Sequence, residues 1–127
     1  MEDCLFCKIN NGEIDSLTIY EDEKVKVMMD AFPDKPGHTL IIPKEHYKDL
    51  DDIPTDLFSY IINIAKIIKP LLEDTLHPES IVLIQNNGEA EKIKHFHLHL
   101  IPQYINIPSL TKEEVYNKIM QNKRSDF

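Results

Sequence analysis

A chain of 127 residues with 42% apolar and 28% charged side chains has the size and composition of one globular domain with its own core, neither disordered nor disulfide-stapled. Its net charge of −8, with no basic run beyond Lys92 and Lys94, excludes the stripe that polymeric nucleic acid requires but admits a small anionic ligand held by local donors. The longest apolar stretch, Leu57 to Leu72, is broken by Asn63, Lys66, Lys69 and Pro70, and no secretory leader is evident, so the expectation is a cytoplasmic protein with no membrane segment.

Leu5 to Asn10 predict a short helical turn, ended by Asn11-Gly12. Thr18 to Tyr20 and Val25 to Met29 are β-leaning runs, divided by the polar turn Glu21-Asp22-Glu23-Lys24. After a loop holding Asp34, Pro36 and Gly37, Thr39 to Ile42 predict a third strand, stopped by Pro43. Pro54 suits the first turn of the clearest helix, in which Leu57, Phe58, Ile61, Ala65, Ile68 and Leu72 recur at three- and four-residue steps. Pro70 is expected to kink or end it. Ile81 to Ile84 predict a fourth strand, Asn86-Asn87-Gly88 a turn, and His95 to Ile101 a fifth strand stopped by Pro102. Thr111 with Glu114 forms a capping-box signature for a last helix reaching about Asn122. Neighbouring strands interrupted by one long helix predict an α+β meander, not a βαβ fold.

In the fifth run His95, His97 and His99 alternate with Phe96, Leu98 and Leu100. On a strand this sets three imidazoles on one face and the apolar residues on the other. At a rise of ~3.3 Å per residue the outer two stand ~13 Å apart, so one metal ion cannot take all three, whereas a nucleotide phosphate can lie along them. A solvated polar face and zinc chelation by two of the three are the competing readings. Histidine serves an anionic substrate as nucleophile, acid or electrostatic clamp. Separately, Cys4-x-x-Cys7 is half of a tetrahedral metal site with no second cysteine pair to complete it. Two reduced thiols without metal are the alternative; a thioredoxin-like redox pair is disfavoured because no strand precedes the motif.

The segment His95-Phe-His-Leu-His-Leu-Ile resembles the signature of the histidine triad (HIT) superfamily. Gly37-His38-Thr-Leu-Ile-Ile-Pro-Lys-Glu-His46 is similar to that family's upstream strand, as is Asp30 with its proline-containing loop. Cys4-Leu-Phe-Cys7-Lys-Ile with Asn11-Gly12-Glu13-Ile14 is similar to the opening of bacterial-type Hint-branch members. The resemblance covers about residues 4–104 of a single domain spanning 1–127, and the tail 105–127 carries no assigned motif beyond its short helix. It implies a five-stranded antiparallel meander with one long packing helix and small terminal helices, in a homodimer whose sheets join.

The same resemblance implies hydrolysis of a purine nucleoside monophosphate derivative, such as a phosphoramidate, at the α-phosphate. His97 would attack phosphorus and become nucleotidylated, and water would release the monophosphate. His99 would contact the phosphate and bridging atom, His38 would complete the polar group, and the carbonyl of His95 would orient the His97 ring. Asp30 would accept both ribose hydroxyls, or serve as a turn residue before Pro33. Asn86 would donate near the phosphate, or serve the turn beside Gly88. Leu5, Phe6, Ile9 and Met28 match base-pocket positions that are equally good core positions. A structural zinc would be held by Cys4, Cys7, His46 and His95, with no cofactor required for catalysis. Ala90-Glu91 replaces a common Gly-Gln, Lys92 a serine and Gln103 an arginine; Glu91 would repel phosphate unless it turns outward, with Lys92 or Lys94 compensating. Dinucleoside polyphosphate hydrolysis, and a nucleotide- or zinc-binding module with little turnover, are the alternative functions.

Overall fold

The computed structural model describes residues 4–88, 93–124 and 127. In chain order they form α1 (Leu5–Asn10), β1 (Thr18–Glu21), β2 (Val25–Met29), β3 (Thr39–Pro43), α2 (Thr55–Leu76), β4 (Ser80–Ile84), β5 (Leu98–Gln103) and α3 (Lys112–Asn122). The strands make one antiparallel sheet in the order β1-β2-β3-β5-β4. The first three strands follow one another across the sheet. The chain then crosses through α2 to the far edge and returns as β5 between β3 and β4.

Strand alternation divides the sheet into two apolar layers. Val25, Val27, Met29 and Ile41 face α2 and α3, packing with Ile61, Ala65, Ile68, Leu72, Val115 and Ile119. Met28, Leu40 and Ile42 face the opposite way and are covered by Phe6 and Ile9 of α1. Both faces of β2 and β3 are therefore buried, which explains their unbroken apolar runs. His99 pairs with Leu40 in the β3–β5 ladder, so its side chain belongs to the α1 layer.

Three prolines behave according to their surroundings. Pro43 is the last residue of β3, as a ladder-ending residue should be. Pro102 does not stop β5, which runs on to Gln103. The β3 pairing ends at Leu100, and beyond it β5 has a partner on one side only, where a residue without an N–H is tolerated. Pro70 does not end α2 either, because it sits on the helix's exposed side, where water satisfies the carbonyl it leaves unpaired. No helix among the described residues is long and apolar enough to cross a membrane.

Candidate active site and metal centre

On the α1 side of the sheet lies a cavity of about 750 Å³. Leu5, Phe6 and Ile9 of α1, with Met28 and Leu40 of the sheet, form its apolar wall, and Asp30, Asn86, His97 and His99 bring polar groups to it. The sequence had grouped all of these except Leu40. It did not point to Ser16 on the loop before β1, or to Lys112 and Glu113, which the start of α3 carries to the rim. The Thr111–Glu114 capping box fixes where α3 begins, but nothing local says that Lys112 will donate to the Ala31 carbonyl at 3.2 Å. Ala90, Glu91 and Lys92 lie outside the described residues. Lys94 donates to the Gly88 carbonyl, and Gln103 Nε2 donates to the Ile101 carbonyl at 3.2 Å.

The histidine segment differs from the expected strand. β5 starts at Leu98, so His95 and His97 precede it. His97 Nδ1 turns back to donate to the His95 carbonyl at 2.7 Å, removing that oxygen from a ladder role, and Phe96 N–H donates instead to the Tyr47 carbonyl at 2.6 Å. The alternation survives without the ladder: Phe96 packs against Phe58 in the α2 layer, while the other three rings stay on the α1 side. They do not form one row, however. His97 and His99 lean together with ring centroids 4.8 Å apart at the cavity, whereas the His95 ring is fully buried and turned toward the cysteines.

Two hydrogen-bond chains fix the tautomers. A carbonyl can only accept, so His97 carries its proton on Nδ1, and in the neutral ring Nε2 holds the lone pair. Asp34 N–H donates to His38 Nδ1 at 3.0 Å, which leaves the proton of His38 on Nε2. That proton is donated to His99 Nδ1 at 2.9 Å, so neutral His99 carries its own on Nε2. Gly37 makes this placement of His38 possible. It has φ +89°, and a Cβ there would come within 2.5 Å of Leu76 Cδ1. Burial holds His38 below the ordinary histidine range against the opposing pull of Asp30 and Asp34. Asp30 itself accepts Phe32 N–H on Oδ1 at 2.8 Å, and its Oδ2 lies 3.5 Å from His38 Nε2. The turn role and the cavity position coexist in one carboxylate.

Among the described residues two clusters have metal-ligating composition. Asp30, His38 and His99 make one, but the Asp34 N–H has already placed the His38 proton on the nitrogen that would have to bind. That cluster is a proton relay. In the other, Cys4 Sγ is 3.2 Å from His95 Nδ1, and Cys7 Sγ is 3.3 Å from His46 Nδ1 and 3.5 Å from His95 Nδ1. All four donor atoms lie within 4.8 Å of one another, near the roughly 3.5 Å spacing that tetrahedral Zn–S and Zn–N bonds impose. His95 Nε2 donates to the Pro43 carbonyl at 2.9 Å, which leaves the lone pair on the nitrogen that faces sulfur. Burial pushes His95 down to about 4, keeping it in the neutral form that a ligand needs. Burial and the adjacent Cys4 thiol raise Cys7 to about 11, a balance that a divalent cation would reverse. The donor set fits zinc.

The HIT domain model matches residues 11–106. An uncharacterized HIT-like protein of Methanocaldococcus jannaschii is 39% identical over 104 residues, 80% of this chain and 79% of that one. An adenosine 5'-monophosphoramidase of Candida albicans is 38% identical over 106 residues, 79% of this chain and 70% of its own length. The crystal structure of a zinc-bound histidine triad family protein from Mycobacterium smegmatis superposes with a TM-score of 0.86 at 29% identity, covering 95% of this chain and 93% of that one. With the paired imidazoles at the cavity, the sheet order and this match in hand, the chain belongs to the HIT domain family.

Proposed function

We propose that the protein is a nucleotide hydrolase that cleaves nucleoside monophosphate derivatives, phosphoramidates foremost, through a nucleotidyl intermediate on His97. The observation that carries this reading is the 2.7 Å bond from His97 Nδ1 to the His95 carbonyl, which commits Nε2 to the lone-pair role at the cavity. Asp30 would hold the ribose hydroxyls, and the apolar wall from Leu5, Phe6, Ile9 and Met28 would take the base. Nε2 attacks the α-phosphorus, a P–N bond forms, and the bond to the leaving group breaks. His99 Nε2–H gives its proton to the departing nitrogen or oxygen, held in that tautomer by the His38 donor. Water then attacks the phosphorus, returns a proton to His99, and frees His97 and the monophosphate. Asn86 adds a donor at the phosphate end.

Cys4, Cys7, His46 and His95 would hold zinc as a closed structural centre, leaving no coordination position for water. The name of the Candida albicans relative, adenosine 5'-monophosphoramidase, and the zinc in the Mycobacterium smegmatis structure support both parts of the proposal. A second copy of the chain is the proposed partner. β4 is an edge strand that exposes Val82, Leu83 and Ile84, an apolar edge of the kind that native sheets cover. Nucleoside monophosphate release from adenosine 5'-phosphoramidate and from a diadenosine polyphosphate, compared side by side, tests the substrate class. Faster turnover of the phosphoramidate supports the proposal; faster turnover of the polyphosphate replaces it with dinucleoside polyphosphate hydrolysis.

A further inference from the structure

We propose that Phe6 is a positioning residue through which the Cys/His centre sets the orientation of the His97 ring. The inference rests on the proposed role of His97 for its catalytic meaning, but the coupling is a property of the structure that can be read without turnover.

The argument starts with α1, six residues long and far below the ~12–15 at which a helix holds itself together in water. It is pinned instead at its ends and by its apolar face. Cys4 caps it, with Sγ accepting Cys7 N–H at 3.2 Å, and Lys26 Nζ donates to the Ile9 carbonyl near its C-terminus at 3.2 Å. Between these anchors Phe6 is 3% exposed and stands edge-on to two imidazoles. Its centroid is 5.8 Å from His95 and 4.9 Å from His97, at interplanar angles of 88° and 69°.

The His97 ring therefore rests on three groups: the His95 carbonyl, the Phe6 edge and the His99 ring. Two of these belong to parts of the chain that the metal centre holds. His95 offers its ring nitrogen to the thiols and its carbonyl to His97, so one residue faces both ways. Phe6 lies between two of the cluster's cysteines, and any motion of that helical turn carries its ring across His97. Thiols are weak hydrogen-bond donors, and two of them hold His95 Nδ1 less firmly than a shared cation does. Capture of the ion thus removes freedom from both contacts at once.

The test uses zinc-loaded protein, with stoichiometry checked by elemental analysis, and ¹⁵N-labelled histidine to read the His97 ring by NMR. Phe6→Leu keeps an apolar cavity wall but removes the ring edge. It should retain zinc, shift the His97 ring nitrogens toward averaged tautomers, and lower kcat on adenosine 5'-phosphoramidate about tenfold while KM changes less than about twofold. Chelation of zinc from the wild type should move the same His97 signals in the same direction. A KM effect alone with unmoved His97 signals in Phe6→Leu would overturn the proposal, as would unmoved His97 signals on zinc removal from folded protein. If chelation unfolds the chain, the zinc-retaining Phe6→Leu protein decides. Absence of any phosphoramidate turnover would count against the proposed function, while the NMR comparison would still decide the coupling.

Discussion

His97 Nδ1 and the carbonyl oxygen of His95 are 2.7 Å apart, a bond between residues two positions apart that lies outside any strand ladder. It makes His95 the hinge of the site, with its ring toward Cys4 and Cys7 and its carbonyl toward the cavity histidine. The metal centre and the proposed chemistry thus meet in one residue.

The first prediction concerns that centre. Cys4→Ser combined with Cys7→Ser should abolish zinc retention and lower the melting midpoint by about 10 °C, the size expected when a tightly held ligand worth ~3–4 kcal/mol is lost from a domain of this length. Hydrolysis at low temperature should be reduced but measurable. Wild-type protein purified without chelators that contains no zinc contradicts the site, and an absolute zinc requirement for turnover contradicts its structural role.

Asp30 provides a second test. Asp30→Asn keeps an oxygen for the Phe32 N–H, so the turn should survive. The loss of charge should weaken ribonucleoside monophosphates by ~1.5–3 kcal/mol, roughly ten- to a hundredfold, and leave a dideoxy counterpart nearly unchanged. Calorimetric titration of both sugars separates the two roles, since equal losses would assign Asp30 to the turn alone.

The buried His38 makes a third prediction, with a definite sign. Its folded pKa lies below the ordinary 6.5, so as pH falls through that value the unfolded chain takes up a proton that the folded protein refuses. Stability is therefore full above about pH 6.5 and declines below it, at up to ~1.4 kcal/mol per pH unit from this group. His38→Gln, which retains a donor near the Nε2 position, should flatten that part of the curve. Urea unfolding between pH 7.5 and 5 measures it, and an unchanged slope in the variant would contradict the assignment.

How much of this was legible beforehand follows from which forces are local. The bounds of α1, β2 and α3 came directly from turn signals, alternation and the Thr111–Glu114 cap, all short-range features. Alternation also gave the correct side for His99. It could not show that His97 would bond back to the His95 carbonyl, or that thiols 88 to 91 residues away would draw the His95 ring out of the row. The tolerance of Pro70 and Pro102 depended on exposure and on where the β3 ladder ends, facts that exist only once the sheet is assembled. Lys112 reached the cavity rim for the same reason.

A fourth prediction addresses the sheet edge. Val82→Lys with Ile84→Lys places two charges on the exposed side of β4, a device that blocks strand-to-strand pairing. If a second copy covers this edge, the wild type should sediment as a dimer and the variant as a monomer. A wild-type monomer at micromolar concentration would contradict the proposed partner.

The central claim is that His97 is the nucleophile, and trapping the covalent intermediate tests it most directly. The enzyme is mixed with adenosine 5'-phosphoramidate, quenched in acid-free denaturant within milliseconds, and read by intact and peptide mass spectrometry. The account predicts a single adenylyl adduct on His97 and, in His97→Ala, loss of both adduct and turnover with nucleotide binding retained. An adduct on another residue, or wild-type turnover in His97→Ala, would contradict it.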